Sequence, residues 1–130
     1  MQDYEDDDLE RRLERAIAAA VEASPDEALA LLGPLRTELE EHVERLPRSS
    51  ASREDLARCR TAVADALGRQ GRVDEALAAA AEAVDDFRAA EALDPVGTSR
   101  DPSVAAVWLR RAVFLTQAGR LDEALAEAAA

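Results

Sequence analysis

The residue types that most often carry chemistry are scarce in this chain. It has one cysteine, Cys59, and one histidine, His42. A catalytic thiol needs a base and a group that orients this base, and a zinc site needs about four ligands. The pattern therefore predicts no catalytic residue, no cofactor and no metal site. It favours Cys59 as a half-buried structural thiol and His42 as a side chain at the surface or in a helix interface. An enzymatic activity that is lost in a Cys59→Ser variant would contradict this interpretation.

Carboxylates are too numerous to mark a site, because the chain has 28 acidic and 16 basic residues and a net charge of −12. This charge excludes nucleic acid and anionic membranes as partners, since both require basic side chains. It favours either a basic partner or simple solubility. The aspartates at 6–8 suit a solvated segment that also favours the positive start of a helix.

The compartment predicted is the cytoplasm. The chain starts with an acidic segment rather than a basic and then apolar signal, and no stretch approaches the ~20 apolar residues of a membrane span. A single cysteine suits a reducing compartment. All basic residues are arginine and asparagine is absent, which indicates a GC-rich bacterial genome.

Composition favours an all-α fold, since hydrophobic residues make up 48% of the chain and alanine, the best helix former, dominates them. An internal repeat supports this fold. Asp-Glu-Ala-Leu occurs at 26–29, 74–77 and 122–125, with a spacing of 48 residues each time. The match widens around the last two copies, where residues 71–78 and 119–126 differ only at Val73 and Leu121. Such a recurrence indicates a repeat architecture.

Turn and capping residues predict two helices in each repeat. Ser24 and Pro25 predict a helix start, and Pro34 predicts a kink or break in the helix that follows. The second repeat is expected to start near Ser52, and Gly71 to end its first helix in a left-handed conformation.

The third repeat is expected to start at Asp101-Pro102, and Gly119 to end its first helix. A last helix would begin at Leu121 and extend for about ten residues, below the ~12–15 at which an isolated helix is marginally stable. It either depends on packing alone or is a truncated copy of a longer helix. The second interpretation is preferred.

The chain resembles the tetratricopeptide repeat family in the placing of its large, small and turn residues. The third repeat matches at Trp108, Ala112, Leu115, Gly119, Ala124 and Ala128. The second repeat matches at Ala64, Leu67, Gly71, Ala76, Ala80 and Ala83, with Arg60 in place of the tryptophan. The first matches loosely at Ala16, Ala19, Ala28 and Leu32.

This resemblance implies a single domain over 1–130, built as an α-solenoid of stacked antiparallel helix hairpins. About six helices would form three repeats, at about 9–47, 52–94 and 102–130. The family period is 34 residues, so the longer period here indicates longer second helices and loops, or a related hairpin array with its own curvature.

The resemblance also implies a protein-binding scaffold whose groove is lined by the first helix of each hairpin. By position this groove would contain Leu13, Ile17, Arg58, Thr61, Asp65, Arg69, Leu109, Arg110, Val113 and Gln117. Apolar stripes of this kind also occur where helices pack against each other. Family members that hold acidic chaperone tails use a Lys/Asn clamp, and this chain has neither residue, so it is not expected to bind such tails.

Two functions remain open at this stage. The first is a protein-interaction module that binds a protein or peptide in the groove. The second is a structural segment that self-associates or docks on the rest of a longer chain. An end-face interface formed by Phe114, Leu121 and Leu125 would favour the second, because an uncovered apolar patch marks an interface.

Overall fold

The fold was analysed in a computed structural model. It describes the helices and turns of residues 2–93 and 102–129, and the side chains of residues 8–93, Trp108, 110–121, Leu125, 127 and 128. These residues form five α-helices and no strand, so the all-α prediction is confirmed. The helices are α1 (Gln2–Glu22), α2 (Pro25–Arg45), α3 (Ser50–Arg69), α4 (Val73–Leu93) and α5 (Pro102–Ala129).

Each helix packs against the next, and α3 also contacts α1 and α5, so α3 lies at the centre. Leu32 of α2 lies opposite Cys59 of α3, while His42 lies opposite Ser52, which makes these two helices antiparallel. No described helix has the length and apolar character needed to cross a membrane.

Two core clusters surround α3. The larger joins α1, α2 and α3 and contains Leu9, Leu13, Ala16, Ala20, Ala28, Leu32, Leu35, Leu39, Leu56, Cys59, Val63, Ala66 and Leu67. The smaller joins α3, α4 and α5 through Ala57, Ala83, Phe87 and Ala112, with Val84 and Trp108 beside it. Within α1, α2 and α3 most of these residues recur at intervals of three and four, the spacing of one face of a helix.

The caps of α2 and α3 explain where these helices begin and end. Ser24 accepts a hydrogen bond from the backbone N–H of Glu27 at 3.2 Å, and Pro25 occupies the first turn, as predicted. The cap of α3 is Ser49, which accepts from the N–H of Ser52, so this helix starts slightly before the predicted position. Gly71 ends it with φ +80°, as predicted.

The predicted break at Pro34 is absent, because α2 continues through it. Proline removes the donor for the carbonyl one turn earlier, that of Ala30. Both residues lie on the exposed face of the helix, where water can satisfy this carbonyl.

The predicted end of a helix at Gly119 is wrong. α5 is continuous through this residue, so the expected sixth helix from Leu121 does not form separately. A glycine inside a helix costs only about 1 kcal/mol relative to alanine. The flanking residues are mostly Ala, Leu, Arg and Glu, which are strong helix formers. The loop expected around 94–101 lies outside the described residues.

Candidate functional site

The thiol of Cys59 is fully buried on α3, not half-buried as predicted. Its Sγ donates to the carbonyl oxygen of Leu32 at 3.7 Å. Burial raises the pKa of this thiol to about 12, against the weaker opposing effect of nearby Arg36 and Arg60. A nucleophilic cysteine needs the reverse shift, so the surroundings of Cys59 keep it protonated at neutral pH.

His42 lies in the α2–α3 interface, one of the two positions predicted for it. Its Nδ1 shares a hydrogen bond of 2.8 Å with Oγ of Ser52. Cys59 contacts α2 at Leu32, ten residues before His42, which corresponds to about 15 Å along the helix. The structure thus separates the thiol from the imidazole. Among the described residues, no group of three or more His, Cys, Asp or Glu side chains could hold a metal ion.

The residues predicted to line a groove do not form one open surface. Leu13 and Thr61 are fully buried, and Thr61 donates its hydroxyl to the carbonyl of Ala57 at 2.8 Å. Ile17 is half-buried against the larger core cluster. Leu13 and Ile17 thus belong to the core that joins α1, α2 and α3, and Thr61 is buried on α3, which is the packing alternative that the sequence left open.

Arg58 is also inside, with 8% of its surface exposed. It pairs with Asp55 at 3.7 Å and with Glu14 at 4.0 Å. Its guanidinium carbon lies 5.5 Å from the ring centre of Trp108, a cation–π contact that links α3 to α5. An arginine committed to three intramolecular contacts is poorly placed to clamp an acidic peptide.

Asp65 and Arg69 link neighbouring helices. Asp65 pairs with Arg69 at 3.6 Å and with Arg111 of α5 at 3.5 Å. The guanidinium of Arg69 donates to the carbonyl oxygens of Ala20 and Ala23, both at 3.2 Å. Arg69 therefore satisfies carbonyls at the end of α1, where a positive charge is also favoured by the helix dipole.

The α5 members of the predicted groove are more accessible. Arg110 and Gln117 are exposed and Val113 is half-buried, while the side chain of Leu109 lies outside the described residues. The predicted groove is thus largely filled on α1 and α3, where Arg69 is its one exposed member, and it is more accessible along the described part of α5.

A continuous apolar stripe runs along α5. Phe114 is 66% exposed, Leu121 60% and Leu125 59%. Spacings of seven and four residues place all three side chains on one helical face. These are the residues of the predicted end-face interface, and "α5 stripe" denotes them below. Large apolar side chains exposed together are typical of an interaction surface.

The charge of α5 differs from that of the rest of the chain. Arg110, Arg111 and Arg120 balance Asp122, Glu123 and Glu127, so α5 has no net charge and the remainder carries the whole −12. The α5 stripe therefore lies on a helix that itself adds no net like-charge repulsion toward a second acidic molecule.

A concavity lies between α2 and α4, whose backbones do not approach each other closely, and α3 forms its floor. Its lining residues are Leu29, Gly33, Arg36, Val63, Leu67, Arg72, Glu75, Ala78, Ala79 and Glu82. Sequence reasoning missed it, because its residues come from three helices and share no motif.

An ion-pair network centred on Arg60 lies beside this concavity and shares Glu82 with its lining. The guanidinium of Arg60 pairs with Asp86 of α4 at 2.5 Å, with Glu82 at 3.4 Å and with Glu40 of α2 at 3.2 Å. Burial raises the pKa of Asp86, although its hydrogen bond with Arg60 opposes this shift. Arg60 of α3 thus connects α2 with α4.

The described part of the chain thus includes an exposed apolar stripe on α5 and a mixed polar concavity between α2 and α4. Comparisons with models of known families, with curated proteins and with solved structures find no match for this chain.

Proposed function

We propose that this chain is a non-enzymatic protein-interaction module of the tetratricopeptide type, and that it binds its partner through the α5 stripe. The observation that carries the proposal is the exposure of Phe114, Leu121 and Leu125 on one face of one helix. Three large apolar side chains in contact with water are unfavourable for an isolated molecule, by roughly 1.5–3 kcal/mol each relative to full burial. Burial of these side chains by a partner would contribute this free energy to binding.

The partner surface that fits is the apolar face of an amphipathic helix. An apolar row of this spacing along a straight helix pairs with a row of similar period on another helix. Gln117 lies next to the row and is exposed, so a partner helix with polar residues beside its apolar face fits best. The α2–α4 concavity is less suitable, because charged side chains, among them those of Arg36, Arg72 and Glu82, make up much of its lining.

Two features support a non-enzymatic role. The pKa of the Cys59 thiol is raised, and this thiol lies away from the only imidazole. A buried protonated thiol bound to a backbone carbonyl has a structural role in the core.

Self-association is the second candidate function, and the charge of α5 favours it. Two antiparallel copies of α5 would place Arg110 and Arg111 of its first half beside the acidic residues of its second half. Phe114 of one copy would then lie near Leu125 of the other, so that the stripe is self-complementary.

Light scattering across a range of concentrations separates the two candidates. A dimer that forms with concentration supports self-association, and a Phe114→Ser/Leu125→Ser variant should then remain monomeric. A monomer at all concentrations directs the search to other proteins. Displayed amphipathic helical peptides should then bind the natural chain and lose binding to the same variant.

Val21→Ser is the matched control, because Val21 is equally exposed but lies on α1, away from the stripe. The control variant should dimerise or bind peptide like the natural chain. A monomer whose selected peptides bind the stripe variant unchanged would contradict both candidates.

A further inference from the structure

Two nearly identical segments have different structures in this molecule. Residues 71–78 form a turn and the first residues of α4, whereas residues 119–126 lie inside α5. The segments differ only at Val73 and Leu121. Local sequence therefore permits both conformations, and the surroundings select between them.

In the first segment the structure requires glycine. Gly71 has φ +80°, which other residues rarely adopt. Its N–H donates to the carbonyl of Gly68, and the N–H of Arg72 donates to the carbonyl of Leu67, both at 3.0 Å. This pair of bonds is the Schellman motif that ends a helix.

In the second segment nothing requires glycine. Gly119 lies inside a helix, where alanine is more favourable. A Cβ atom added there would lie 3.4 Å from Cβ of Leu77, an ordinary van der Waals separation. Neither the backbone conformation nor the available space explains a glycine in the straight form of α5.

We propose that Gly119 is the hinge of a second conformation of α5. In this conformation Gly119 and Arg120 form the turn seen at Gly71 and Arg72. Residues 121–129 then fold back along the preceding part of α5, as α4 does along α3.

The folded-back segment would cover Phe114. The repeat spacing makes Phe114 equivalent to Ala66 of α3. Ala66 is fully buried in the larger core cluster, against which Ala76 and Ala79 of α4 pack. The same two positions in the second copy are Ala124 and Glu127. The straight form thus exposes Phe114, and the folded-back form removes it from solvent.

The hinge would control access to the α5 stripe, and only this consequence rests on the proposed function. The straight form presents Phe114 beside Leu121 and Leu125 for binding. The folded-back form separates these residues and withdraws Phe114. The existence of the hinge can be tested without any partner.

Intramolecular cross-linking tests the hinge in an Arg110→Cys/Glu127→Cys variant that also carries Cys59→Ser. The two positions lie about 25 Å apart on a straight helix. Their equivalents, Ala62 and Ala79, pack against one core cluster on adjacent helices, whose axes lie about 8–10 Å apart. A bismaleimide linker shorter than half the straight separation should therefore join the cysteines only in the folded-back form.

Gly119→Ala should lower the yield of this cross-link at least about fivefold, because alanine favours the straight helix and opposes the left-handed turn. An Arg110→Cys/Gln117→Cys pair is the matched control, since both residues precede the hinge and lie on one face. Its yield should not depend on residue 119. All yields are compared at dilutions where they no longer depend on protein concentration, and circular dichroism verifies that each variant is folded.

Absence of the Arg110–Glu127 cross-link while the control pair reacts would overturn the proposal, as would a yield that Gly119→Ala leaves unchanged. These outcomes are separate from failure of the proposed function. If the cysteines at 110 and 127 cross-link but binding does not depend on the α5 stripe, the conformational change would stand. Its role in binding would then be excluded.

Discussion

α3 and α5 are related by the 48-residue spacing of the sequence but differ in their surroundings. α3 contacts all four other helices, whereas the described contacts of α5 are with α3 and α4. Ala66 is therefore fully buried while its counterpart Phe114 is exposed. The residue types run opposite to the burial, since phenylalanine, the larger and more apolar side chain, is exposed and alanine is buried. An apolar residue at a repeat position is thus a core residue only where a neighbouring helix covers it.

The largest expected effect comes from a charge placed at each of these equivalent positions. Ala66→Arg should destabilise the fold by roughly 3 kcal/mol or more, because it buries an unpaired charge in a filled core. Phe114→Arg should change the free energy of unfolding by less than about 0.5 kcal/mol, as surface substitutions usually do. Urea denaturation of both variants measures the difference. Equal destabilisation would show that Phe114 is covered in solution.

The burial of α3 also predicts how stability depends on alkaline pH through Cys59. The pKa of this thiol is about 12 in the folded chain, above its ordinary value of 9.0. Because the pKa is raised in the folded state, the contribution of the buried, protonated thiol to the free energy of unfolding is fully present below pH 9.0. It is lost as pH rises toward 12. The loss should reach roughly 3 kcal/mol by pH 11.

Denaturant midpoints between pH 8 and 11 measure this loss, and Cys59→Ala is the control that should lack it. The comparison is favourable because the chain has no lysine to titrate in the same interval. Parallel pH profiles for the two chains would contradict the burial of the thiol.

Substitution of Gly71 or Gly119 by alanine is expected to change the free energy of unfolding by a smaller amount, with opposite signs at the two positions. Gly71→Ala should cost about 1–2 kcal/mol, because alanine must adopt a left-handed conformation there. Gly119→Ala should stabilise the straight form of α5 by up to about 1 kcal/mol. Thermal unfolding measures both shifts. A loss of stability in Gly119→Ala would indicate that the folded-back form predominates in solution.

The sequence alone predicted the helical class and most of the local structure. Ser24 marks a helix start because its side chain accepts a hydrogen bond from Glu27, and Gly71 marks a helix end because its backbone adopts a positive φ. Both effects involve only residues close in sequence. The apolar stripes also follow from local spacing, since buried residues such as Leu9, Leu13 and Ala16 lie four and three residues apart on one face of α1.

Only the tertiary structure decided which of these stripes are covered and what the polar residues contact. Arg58, Arg60 and Arg69 look alike in the sequence, yet one contacts Trp108, one spans α2 and α4, and one binds carbonyls of α1. Gly71 and Gly119 share a local sequence but differ in conformation. In each case the outcome depends on helices distant in sequence, because burial and long-range pairing are absent from the local pattern.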